Sequence, residues 1–237
     1  MHGSPPGDAG PERFEPDALD DLPAELALSR LPPGRHGLPR SFVVGNQRLR
    51  IVAAMLRVLP RHGYPATTIG HVTEEAGVSR SAFYAQFRTK EECFLATYDL
   101  AAGWLCERVE RATAADADWP RRVSAGVSQA LRLLAANPLI AHLVAVEALQ
   151  AGLAARRRRQ ACIVRLAGAL RAGRPRGAAL PPDFEQLLMG GALSLVARYV
   201  DAGRTEQLAE TTAELVHYLL TPYLEPEETS RIAAEAA

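Results

Sequence analysis

Residues 67–90, TTIGHVTEEAGVSRSAFYAQFRTK, constrain this chain more than any other stretch. Thr67 or Thr68 can cap a helix by accepting an orphan backbone N–H. Ile69, Val72 and Ala76 then share one apolar face. Gly77 follows where that helix must stop, and glycine takes the left-handed conformation without steric cost. Val78 plugs the space between two helices, and Ser79 caps the second. This second helix offers Arg80, Ser81 and Tyr84 on one side and Ala82, Phe83 and Phe87 for packing; Thr89 caps another helix starting near Lys90. Two short helices at a glycine turn, the second polar and rich in hydroxyls, are a way of placing a helix in the major groove of DNA.

Charge supports that reading once it is located. The whole chain of 237 residues is formally neutral, with 27 basic and 27 acidic side chains. Residues 1–34 set Arg13 and Arg30 against seven acids, a net of −5. Residues 35–95 set eight arginines and Lys90 against Glu74, Glu75, Glu91 and Glu92, a net of +5. Positive charge therefore coincides with the two-helix motif, as phosphate binding requires. Arginine dominates lysine, which with abundant alanine fits a GC-rich bacterial genome.

The rest of the chain reads as helix. Residues 1–38 are rich in Pro and Gly without sustained periodicity, a disordered tail. Arg35, His36 and Arg40 lead from it into the first helix, either as a basic arm for the minor groove or as a solvated linker. Helix one is expected over 45–59, from Val52, Met55, Leu56 and Leu59, with Pro60 ending or kinking it. A long helix runs from Lys90 to about Thr113, with Glu91 and Glu92 favourable at its positive end. Further helices follow over 121–136, after Pro138, and over 153–172, 183–202 and 205–220. The residues after Glu225 are expected to fray. No alternating β-branched runs appear, so the expected fold class is all-α.

The run resembles the DNA-binding domain of TetR-family transcriptional regulators. The letters that carry the resemblance are Thr68, Val72, Ala76-Gly77-Val78-Ser79, Phe83-Tyr84, Phe87 and Lys90, preceded by Ile51-Val52-Ala53-Ala54 through Gly63-Tyr64. It covers about residues 46–95; Thr73, where the family has a small alanine, and Pro60 are departures from it. It implies an N-terminal three-helix helix-turn-helix domain over 39–92, then a larger helical ligand-binding and dimerisation domain over 93–225, with 226–237 as a frayed tail. The DNA-facing set it implies is Arg40, Thr68, Ser79, Arg80, Ser81, Tyr84 and Lys90, with Tyr84 and Lys90 on phosphates. Arginine suits a guanine edge, and hydroxyls suit phosphates or varied base edges.

One three-helix module touches little DNA, so a homodimer on a palindromic operator is expected. The resemblance implies that the last two long helices pair with their copies through Phe184, Leu187, Gly191, Leu195, Leu208, Leu215 and Leu219, with Gly190-Gly191 allowing close approach. It also implies a small-molecule pocket, for which Trp104, His142, Glu147, Met189, Arg198 and Tyr199 are candidate lining residues. An apolar or aromatic effector suits the many aliphatic residues, and binding is read out through the long helix at Lys90. The expected regulator is a ligand-responsive repressor, with no other cofactor.

Other readings are narrower. Arg156–Arg159 point around most of a helix and cannot form one groove-facing stripe, so they read as a solvated surface, with an interface or an anionic-ligand contact as the alternative. Cys93, Cys106 and Cys162 lack metal-ligand spacing; they read as buried small side chains, with redox-sensing thiols as the alternative. The odd count without a signal peptide points to a cytoplasm, and no apolar run approaches a membrane span. GxSxG, HExxH, CxxC and phosphate-loop patterns are absent, which argues against an enzyme. A helical interaction protein that lost DNA binding remains the alternative function.

Overall fold

Why residues 40 onward form helices, and where those helices break, decides how the site is presented. The computed structural model describes residues 40–114, 118–175 and 180–236, with side chains from Gln47 onward. The tail expected over 1–38 and the side chain of Arg40 lie outside the described residues.

Helix α1 spans Arg40–Ala66 and passes Pro60, which removes one backbone rung without ending the helix. Its break lies instead at Gly63, where φ is 69°. Both the N–H and the hydroxyl of Thr67 then donate to the Gly63 carbonyl, closing the turn. Helices α2 (Ile69–Ala76) and α3 (Arg80–Tyr84) lie across α1, and α4 (Lys90–Thr113) leads away from them. Ile51 to Leu56 are all buried, because α1 is wedged between α2 and α3 on one side and later helices on the other.

The larger part contains α5 (Trp119–Ala136) and α6 (Pro138–His142), then a π-helical turn over Leu143–Glu147 that runs into α7 (Ala148–Gln150). It continues with α8 (Leu153–Arg171), α9 (Phe184–Asp201), a 3₁₀ turn over Thr205–Thr211 and α10 (Thr212–Leu220). Residues expected to fray form α11 (Pro226–Glu235) instead. Pro226 suits a first helical position, Glu227 and Glu228 favour the positive end, and Thr229, Ile232 and Ala233 are buried beside α5 and α10.

The buried apolar cluster runs unbroken from Met55, Phe83 and Phe94 into Leu131, Ile140, Leu208 and Val216. Among the described residues no strand occurs, and no single helix is long and apolar enough to cross a membrane.

Candidate nucleic-acid interface and effector cavity

The α2–α3 corner is built by local hydrogen bonds that the sequence specifies. Thr68 and His71 form a reciprocal cap: the Thr68 hydroxyl accepts from the His71 N–H at 3.2 Å, and the Thr68 N–H donates to His71 Nδ1 at 3.4 Å. Gly77 ends α2 in the left-handed region at φ 62°, where a side chain would be strained. Ser79 Oγ accepts from the Ala82 N–H at 3.1 Å and starts α3. Thr73, where the family has a small alanine, is buried with its hydroxyl donating to the Gly70 carbonyl.

The outer face of α3 carries exposed Ser79, Arg80 and Ser81, with Tyr84 56% exposed. Phe83 and Phe87 are buried beneath it, at 0% and 1% exposure. Tyr84 is held by an edge contact to Phe83, and the Arg80 guanidinium lies over Gly70. Thr68 is exposed at the start of α2. The corner thus brings Thr68, Ser79, Arg80, Ser81 and Tyr84 to the surface.

Lys90, expected on phosphate, is engaged within its own chain. Its ammonium donates to the carbonyls of Tyr64 and Thr67, each at 2.8 Å, and reaches that of Pro65 at 3.5 Å. It also lies 4.2 Å from the centre of the Tyr64 ring, and its burial pushes its pKa down. An ammonium has three donors, and these contacts occupy them. Lys90 therefore ties the start of α4 to the exit of α1.

Several arginines of the basic segment are also engaged. Arg50 donates to the Ala76 and Gly77 carbonyls at the end of α2. Arg48 donates to the Gln86 carbonyl just past α3 and stacks 4.2 Å over Phe87. Arg57 and Arg61 grip Glu75 at 2.7 and 3.1 Å, and hold its carboxyl below the ordinary range against the upward pull of burial. Their charge still contributes to the field, but their geometry is structural. Arg80 and Arg88 remain exposed for an outside partner.

The joint between this module and the later helices is a buried carboxylate. Glu147, at the end of the π turn, is 1% exposed and accepts from the Tyr64 N–H at 2.7 Å. Its other oxygen lies 3.6 Å from His142 Nδ1. Burial raises the Glu147 pKa, partly opposed by the Tyr64 bond, and lowers that of His142.

An apolar cavity of about 320 Å³ lies farther along α4. Leu105, Val109, Val127, Leu134, Met189 and Val196 are among its walls, with Arg122 at its edge. Of the six expected lining residues only Met189 lines it. Trp104, His142, Glu147, Arg198 and Tyr199 do not; the last two lie near the end of α9, and Glu147 serves the joint instead. Sequence spacing marks polar or aromatic residues as conspicuous, whereas this cavity is made by aliphatic positions on helices brought together by the fold.

The expected dimer surface is also revised. Leu208, Leu215 and Leu219 are buried within one chain at 0–6% exposure, and the last two line the cavity. Leu187 is 69% exposed, Gly191 is exposed, and Phe184 and Leu195 are half-buried. Gly191 is already met by its own chain: an added Cβ would collide with the Tyr218 hydroxyl. Of the arginine run, Arg156–Arg158 are exposed and Arg158 pairs with Asp99. Among the described residues no group of three or more His, Cys, Asp or Glu could hold a metal.

Residues 51–97 match the bacterial regulatory proteins of the tetR family. An uncharacterised HTH-type transcriptional regulator of Bacillus subtilis, YerO, is 32% identical over 60 residues, 25% of this chain and 21% of that protein. The fatty acid metabolism regulator protein of Bacillus subtilis is 24% identical over 110 residues, 46% of this chain and 57% of that protein. The chain thus spans less than two thirds of either curated relative. In fold it is similar to the regulator FadR from Bacillus subtilis, solved with stearoyl-CoA: TM-score 0.64 and 19% identity over 73% of this chain and 98% of that one. FadR from Bacillus halodurans gives a TM-score of 0.66 at 19% identity, over 73% and 94%.

Proposed function

We propose, from the match of residues 51–97 to the bacterial regulatory proteins of the tetR family, that the chain is a transcriptional regulator and not an enzyme: a ligand-responsive repressor that binds a palindromic operator as a homodimer in the cytoplasm. The observation that carries the reading is the face of α3. Arg80, Ser81 and Tyr84 stand exposed on a short helix whose opposite side is anchored by Phe83 and Phe87. Arg80 supplies a base-edge or phosphate contact, and Ser79, Ser81 and Tyr84 supply phosphate contacts. The module is residues 39–92, and the helices from 93 onward receive the effector and the second copy. Exposed Leu187 and Gly191 on α9, with Tyr218 beside them, form the surface for that copy.

The effector is a molecule with a long aliphatic chain. The cavity walls are almost wholly aliphatic, and Arg122 at the edge suits an anionic head group. The fold likeness to a regulator solved with stearoyl-CoA adds to this reading. Filling the cavity shifts α4, which carries the strain to the module through Lys90 and the Glu147–Tyr64 bond.

The test is to capture sheared genomic DNA from the source organism with the purified protein and sequence what is retained. A few enriched palindromes are expected, and binding to them should fall about tenfold or more over a few-fold rise in salt, through counterion release. Arg80→Ala combined with Tyr84→Phe should weaken binding about ten- to a hundredfold while the protein stays a folded dimer. Uniform retention, or a complex indifferent to salt and to these substitutions, overturns the proposal in favour of a protein-interaction role.

A further inference from the structure

Helices α4 and α8 lie side by side in the same direction. Arg158–Asp99, Cys162–Cys106 and Arg165–Glu110 pair in ascending order along both. In the middle rung the two Sγ atoms stand 3.1 Å apart, although the residues are 56 positions apart in sequence. We propose that Cys106 and Cys162 are a modification site, a thiol pair that a peroxide closes into an intrachain disulfide between α4 and α8.

The two thiols have different parts in this chemistry. Cys106 is 2% exposed, whereas Cys162 is half-buried, so the oxidant meets Cys162. The hydrogen bond with Cys106, and then Arg165 and Arg159, hold the Cys162 thiol below its ordinary value despite burial. The same hydrogen bond, with burial, pushes Cys106 up. Arg159 and Arg165 flank Cys162 at three-residue spacing on one face of α8. The buried Nε–H of Arg159 has no hydrogen-bond partner among the described residues and is free to face a thiolate. Electropositive, partly exposed surroundings of this kind make a cysteine reactive. The last arginine of the 156–159 run thereby gains a role that a solvated surface does not give it.

The step balances. The Cys162 thiolate attacks one peroxide oxygen, the O–O bond breaks, and Cys162 becomes a sulfenic acid with loss of water. The Cys106 sulfur then attacks Cys162 sulfur, the S–O bond breaks, and a second water leaves with the Cys106 proton. Two thiols and one hydrogen peroxide give one disulfide and two waters. Reaching a bond of about 2.05 Å asks the sulfurs to approach by about 1 Å. Leu105 and Val109 on α4 and Leu166 on α8 line the cavity, so the bond would staple two of its walls. Cys93 is an internal control, fully buried and with its thiol pushed up to about 12 by burial.

The experiment exposes the full chain to hydrogen peroxide, then alkylates it in denaturant and maps the peptides. Alkylatable thiols should fall from three to one, leaving Cys93, with a cross-linked Cys106–Cys162 peptide that dithiothreitol reverses. Cys106→Ala should leave Cys162 as a sulfenic acid trapped by dimedone, and Cys162→Ser should leave both remaining thiols alkylatable. Circular dichroism establishes that each variant is folded. Three thiols persisting after peroxide, a cross-link between two chains, or oxidation of Cys162 in the unaltered protein with Cys106 still free would each overturn the proposal.

Discussion

The module before Lys90 and the helical body after it use polar groups in opposite ways. In the module, helix starts are closed by side chains: Thr68 caps α2, Ser79 caps α3, and Thr89 caps α4 on leaving it. Helix ends are closed too, by Arg50 on α2 and Arg48 just past α3. In the body, among the described residues, no helix from α6 onward has a side-chain bond at its N-cap, and the centre holds a cavity of about 320 Å³. One region has helix starts capped by side chains and a filled centre; the other has starts without such caps and a hollow centre, although Trp119 and Arg122 close the end of α8 and Asn137 that of α5. Under the proposed function the difference fits: a reading head must keep its shape, whereas a sensor needs room for a ligand and helices that shift when it arrives.

Adding or removing volume should separate the two regions most strongly. Phe83→Ala in the filled module should cost about 3–5 kcal/mol in denaturant unfolding, enough to abolish DNA binding at ordinary temperature. A loss below about 1 kcal/mol would mean the module is not tightly filled. The opposite change, Ala130→Phe on the cavity wall, should leave melting temperature unchanged or higher. If the cavity takes the proposed long-chain effector, the substitution should weaken binding of a stearoyl-CoA probe, measured by titration calorimetry, at least about tenfold, since the aliphatic chain's space is taken. A normal affinity would place the effector elsewhere.

Substitutions at the joint sharpen the comparison further. Lys90→Ala leaves three backbone carbonyls without their shared donor and should cost about 1–3 kcal/mol of stability. If Lys90 touched phosphate instead, stability would hold and only the salt slope of DNA binding would change.

Glu147→Gln should have the smallest effect, visible as a pH dependence. The folded carboxyl has a raised pKa, so it favours the protonated form more than the unfolded chain does. Its contribution is full below the ordinary value of 4.5 and is lost as pH rises through the folded value. Glutamine can still accept the Tyr64 N–H but has no charge to bury. The variant should therefore match or exceed the parent at neutral pH, with the difference closing in acid. A parent more stable than the variant at pH 7 would show that the ionised carboxylate is favoured there.

What the sequence disclosed follows from the range of each interaction. Thr68, Gly77, Ser79 and Thr89 were legible because a cap or a turn is set by residues three or four apart. Phe83 and Phe87 were legible by periodicity. The internal partners of Lys90 were not legible because they are backbone carbonyls 23 to 26 residues away. Arg48, Arg50, Arg57 and Arg61 could be counted as charge, but no spacing reveals which helix end each one closes. The cavity was misplaced for the related reason that a void has no residue of its own. The Cys106–Cys162 approach spans 56 positions and needed the parallel pairing of α4 with α8.

The joint has a consequence for exchange of parts. Lys90 grips carbonyls at the exit of α1, and Glu147 grips a backbone N–H there. The polar part of the joint therefore reads the outline of the main chain, while the continuous apolar cluster from Met55 to Ile140 makes the rest of it depend on side chains. The residues of α3 can drift from one operator to another without loosening this grip. A foreign three-helix head should seat on this body only if it brings both the turn at its exit and apolar side chains that fit the shared cluster.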